Sequence, residues 1–112
     1  MVTSQVELAE KIEDFVRLLR LGVRVEAVIL YGSYAKGLAD EWSDIDLAVI
    51  SPDFEGASTW ERQEMIARAT VGRPYRIAPI GYPSSEYHNQ GRHSFLREIL
   101  RTGKVVYEAP VQ

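Results

Sequence analysis

At 112 residues and a formal charge of −3, the chain has the length of one compact domain, residues 1–112, and its charge argues against the broadly basic surface of a nucleic-acid binder while leaving room for a local basic patch. It contains no cysteine, which excludes disulfides, thiolate nucleophiles and Cys-based zinc sites. Its apolar runs are too short to span a membrane, and Met1 to Gln5 lack the basic and apolar regions of a signal peptide, so a cytoplasmic location is expected.

Ser4 to Leu21 reads as an amphipathic helix, with Leu8, Ile12, Phe15, Val16 and Leu19 on one face. Ser4 and Glu7 have capping-box spacing, and Gly22 sits where a C-terminal cap belongs. Val25 to Tyr31 is β-branched and apolar, a buried strand ended by Gly32-Ser33. A short helical turn over Tyr34 to Leu38 leads to a second strand, Asp44 to Ile50, closed by Ser51-Pro52. Thr59 to Val71 has helical content. Tyr75 to Ile80 reads as a third strand whose Pro79 confines it to an edge, because proline lacks the N–H for a ladder bond. Pro83-Ser84-Ser85 opens a last helix running to about Thr102 and stopped by Gly103, and Lys104 to Glu108 can form a final short strand. This order predicts an α/β (α+β) sandwich, a small mixed or antiparallel sheet of three to four strands covered by helices.

Two short motifs carry chemistry. Gly32-Ser33 follows a buried strand, where glycine lets backbone approach a ligand. A helical turn starting there would present free N–H groups to phosphate, with the Ser33 hydroxyl as a further donor and Lys36 as a nearby charge. The plainer reading is a strand-to-helix turn with Ser33 as its N-cap. In Asp44-Ile45-Asp46, strand alternation sends both carboxylates to one face. Two carboxylates so close repel unless a cation sits between them, and magnesium with phosphate oxygens supplies one. The alternative is a pair of tolerated surface aspartates at a strand start. If both motifs serve one ligand, their strands run antiparallel, since the Tyr34–Ser43 connection is too short for a parallel crossover.

Gly32-Ser33, ten intervening residues and Asp44-x-Asp46 resemble the signature of the polymerase-β-like nucleotidyltransferase superfamily. The text around it, Tyr31-Gly32-Ser33-Tyr34-Ala35-Lys36-Gly37 and Ser43-Asp44-Ile45-Asp46-Leu47, is similar to that of its minimal nucleotidyltransferase branch, whose members are often antitoxin partners of HEPN toxins. The resemblance implies the nucleotidyltransferase fold and a magnesium-dependent reaction. An acceptor hydroxyl attacks the α-phosphate of a nucleoside triphosphate, ATP for adenylylating members, and AMP passes to a tyrosine of the partner toxin. It also implies that Gly32 and Ser33 hold the triphosphate and that Asp44 and Asp46 bind the metal and carry catalysis.

One position departs from the pattern. Where the family text reads acid-Pro-Ile-Gly, this chain has Ala78-Pro79-Ile80-Gly81, so the third metal-binding acid is replaced by Ala78. Arg76 and Ile80, on the same strand face, do not substitute for it. Glu86 or Glu98 of the last helix could reach in, a partner could complete the site, or the domain could bind and neutralise a partner without efficient transfer. Among the remaining residues, His88 and His93 are five apart, which does not stack them on one helical face. Arg92, Arg97 and Arg101 form a basic edge, either solvated or facing an acidic ligand. Trp42 either packs its loop or stacks on a base. The Phe95–Leu100 stripe is core, with a dimer or partner interface as the alternative.

Overall fold

The computed structural model describes residues 4–91 and 94–110. The described residues form five α-helices and four strands, in the order α1 (Gln5–Leu19), β1 (Ala27–Tyr31), α2 (Ser33–Lys36), β2 (Ile45–Ser51), α3 (Thr59–Ala67), β3 (Ile77–Pro83), α4 (Ser84–His88), α5 (Phe95–Thr102) and β4 (Lys104–Glu108). The sheet order is β3-β2-β1-β4. The β1–β2 and β1–β4 pairs are antiparallel and β2–β3 is parallel, giving the mixed α/β sheet that the element order implied.

The two central strands are apolar on both faces because both are covered. On one face Val28, Leu30, Leu47 and Val49 meet Ile12, Phe15, Val16 and Leu19 of α1 and Ile66 of α3. On the other, Ala27, Ile29, Ala48 and Ile50 meet Tyr82, Leu96 and Ile99. Helix starts are fixed by local chemistry. The Ser4 hydroxyl accepts from the Glu7 amide, and Ser58 with Glu61 forms a reciprocal capping box at α3.

Pro79 does lie on an edge strand. The Pro79 carbonyl accepts from Gln63 Nε2 at 3.0 Å and the Gly81 carbonyl from Arg62 Nη1 at 3.3 Å, so these residues turn their backbone away from β2. With Pro83 at the same parity, the outward edge of β3 carries two residues without an N–H and two carbonyls already bonded to α3.

Some boundaries differ from expectation. The last helix is broken into α4 and α5. Asn89 takes a non-helical conformation (φ −145°, ψ 69°), Gly91 follows, and the Ser94 hydroxyl accepts from the Arg97 amide to begin α5 anew. The third strand begins at Ile77 and continues to Pro83 rather than ending near Ile80. It continues because Gly81 lets β3 pass close to Phe54 and Ile66; an added Cβ would lie 2.9 Å from the Phe54 ring. Helix α3 stops at Ala67, four residues short of Val71, and gives way to a turn containing Gly72 at φ 76°. The expectations for Arg92 and His93 fall outside the described residues. Among the described residues, no helix is long and apolar enough to cross a membrane.

Candidate functional site

The antiparallel pairing of β1 with β2 puts the end of one strand beside the start of the other. Tyr31 pairs with Asp46, and on the far side Asp46 pairs with Ala78 of β3. A row Tyr31–Asp46–Ala78 therefore crosses three strands on the α5 face of the sheet. Edge-to-face contact of Tyr31 with Phe95, centroids 6.0 Å apart, ties this row to the first turn of α5.

Gly32 sits above the row at φ 72° and ψ −151°, a conformation open only to glycine. A Cβ here would lie 2.2 Å from Asp46 Oδ2. The missing side chain is thus what admits the carboxylate. Ser33 opens the single turn of α2, where first-turn amides lack helical acceptors. Gly32, not Ser33, occupies the N-cap position. Lys36 lies at the other end of this turn, and its charge helps hold the Glu98 carboxyl of α5 below its ordinary range, after the larger effect of the Arg101 hydrogen bond.

Asp44 precedes β2 and is half-exposed. Arg76 Nε lies 2.9 Å from its Oδ1, and Arg76 Nη2 donates to the Trp42 carbonyl at 2.7 Å. The turn carrying Trp42 is also tied from within, since Asp40 Oδ1 accepts from the Trp42 amide at 2.9 Å and Ser43 Oγ from the Asp40 amide at 2.9 Å. Trp42 itself is 74% exposed, so it does not pack the loop. Partial burial raises the Asp46 carboxyl above its ordinary value, and the charge of Asp44 raises it further.

The structure brings Gly32, Ser33, Asp44 and Asp46 to one end of the sheet and leaves Lys36 toward α5. Ala78 stands directly beside Asp46, where a third acid would complete the row. Glu98 bonds Arg101 instead of reaching the pair, and among the described residues no three acidic or histidine side chains form a group able to hold a metal. Asp44, just before β2, and Asp46, within it, would offer hard oxygen donors to a divalent ion, with phosphate or water supplying the remaining ligands. Parity alone places Arg76 on the face of Ala78; its contact with Asp44 is set by the β2–β3 register.

The nucleotidyltransferase domain model matches residues 9–101, from within α1 to the last turn of α5. The chain belongs to the nucleotidyltransferase domain family. One relative, from Methanocaldococcus jannaschii and named "Putative protein adenylyltransferase MJ0604", is 29% identical over 99 residues, covering 86% of this chain and 94% of its own. A solved structure from Sulfolobus solfataricus, titled a putative nucleotidyltransferase, superposes with a TM-score of 0.72 at 16% identity, covering 93% of this chain and 83% of the other. A toxin–antitoxin structure with AMP-PNP gives a TM-score of 0.59 at 21% identity, with 90% and 73% covered. These structural likenesses carry the fold, and the nucleotidyltransferase domain shares it with both.

Proposed function

We propose that this nucleotidyltransferase domain transfers AMP from ATP to a hydroxyl of a protein partner, with magnesium as its cofactor. The observation that carries the reading is the contact of the Asp46 carboxylate with the side-chain-free face of Gly32. That contact joins the phosphate-binding and carboxylate halves of the motif at one point. The name of the Methanocaldococcus relative supports protein as acceptor, the toxin–antitoxin neighbour supports a toxin as that partner, and a HEPN type for it rests on the motif resemblance alone.

In this reading Gly32 and the first-turn amides of α2 receive the triphosphate, with Ser33 donating a hydrogen bond rather than acting as a covalent nucleophile. Asp44 and Asp46 would hold the metal. When bound, magnesium neutralises phosphate oxygens and orients them. The acceptor oxygen bonds to the α-phosphorus, the bond from that phosphorus to the bridging oxygen breaks, pyrophosphate leaves, and the hydroxyl proton passes to water.

Incubation with labelled ATP, magnesium and the product of the neighbouring gene tests this. Label is expected on the neighbour and is lost in Asp44→Ala plus Asp46→Ala; label that survives both changes overturns the reading. Ala78 and the Arg76–Asp44 pair favour a second reading, in which the domain neutralises its partner by binding alone. Neutralisation that persists in Asp44→Ala, with no label transferred, is its expected result. Ala78→Asp separates the two further, because restoring the carboxylate raises transfer only where its absence is what limits the rate.

A further inference from the structure

Among the described residues, the pairing of Asp44 with Arg76 has no counterpart at Asp46. The Ile45 amide donates to the Arg76 carbonyl at 2.9 Å, which fixes Arg76 immediately before the parallel ladder and alongside Asp44. From there one guanidinium nitrogen meets Asp44 Oδ1 and another meets the Trp42 carbonyl. A planar fork suits this double engagement, and an ammonium would satisfy only one of the two acceptors well. The Arg76 side chain is 69% exposed, so it can swing into solvent without disturbing the core.

We propose that Arg76 is a resident counter-ion of the carboxylate pair: its guanidinium neutralises Asp44 until a divalent cation arrives, and the two occupy Asp44 in competition. This rests on the reading of Asp44 and Asp46 as a cation-binding pair. The charge count supports it. Three carboxylates would present three negative charges to a cation, whereas Asp44, Asp46 and Arg76 together present one. Affinity of oxygen sites for divalent ions follows ligand charge. An exposed ion pair is also weak enough for a divalent ion to displace. Arrival of the cation frees the guanidinium and releases the Trp42 carbonyl, so the turn that displays the indole loosens as the site fills.

The test is a Mn2+ titration of the full chain at low ionic strength, read by the electron paramagnetic resonance signal of free Mn2+. Arg76→Gln removes the competitor and is expected to tighten Mn2+ binding about two- to fivefold, the range set by an exposed ion pair. Arg76→Lys keeps the charge without the fork and is expected to bind Mn2+ no more tightly than Arg76→Gln. Equal or weaker binding in Arg76→Gln overturns the proposal, because Arg76 would then be a positioning residue for Asp44 or irrelevant to it. Asp46→Ala distinguishes the underlying reading. Mn2+ affinity unchanged by Asp46→Ala removes the cation-binding pair itself, and the proposal falls with it.

Discussion

Gly32 and Asp46 are each paying for the other's presence. The glycine holds a backbone conformation that any side chain would strain, and the carboxylate fills the space where a Cβ would be. Gly32→Ala is expected to cost roughly 1–3 kcal/mol for the backbone conformation alone, and more from the contact with Asp46. Denaturant unfolding measures that loss, and disappearance of an ATP-dependent thermal shift measures the loss of the site. Asp46 also carries its own pH signature. Its folded carboxyl titrates above its unfolded value, through burial first and Asp44 second. Folding therefore favours the protonated form, and this advantage is lost as pH rises from the unfolded pKa through the folded one. Asp46→Asn should raise the Tm slightly at pH 7, with the gain vanishing below about pH 4, the ordinary carboxylate value. Thermal scans across that range check the sign.

At the scale of elements, the opposite sign appears at Asp14. The Tyr75 hydroxyl donates to its Oδ2 at 2.7 Å, Arg73 Nη1 lies 3.1 Å from the same oxygen, and Arg17 bonds Oδ1. These donors hold the Asp14 carboxyl below its ordinary value, Tyr75 contributing most, while the Tyr75 hydroxyl itself is pushed up to about 12, by burial first and then by Asp14. The contacts tie α1 to the segment leading into β3. Their contribution is present above the unfolded pKa and is lost as pH falls through the folded one, so Asp14→Asn should lower the Tm at pH 7 and change it little near pH 2. The same scale shows where reading from sequence stopped. The α1 stripe, the two central strands and the Pro79 edge were legible because each is written in local periodicity or in a missing donor. The break between α4 and α5 was passed over because helical content on either side outweighed Asn89, Gly91 and the cap at Ser94. Ser94→Ala should cost about 1 kcal/mol by unfolding, as loss of an N-cap does.

For the molecule as a whole, the antiparallel meeting of β1 and β2 followed from a connection too short for a crossover, and the structure has that arrangement. The position of Ala78 beside Asp46 was anticipated only by family likeness; it depends on the register of a parallel pair far apart in sequence, which no local pattern encodes. The Arg76–Asp44 pair depends on the same register.

The two sides of the sheet end differently. Side chains of α3 and two prolines occupy the outer border of β3, while β4 forms the opposite border and leaves Val105 and Val106 exposed. Growth of this sheet is thereby directional: an added strand, from any source, has hydrogen-bonding room beside β4 and little beside β3. Hydrogen exchange checks the open border: the outward amides of β4 are expected to exchange well before the amides of β1 and β2.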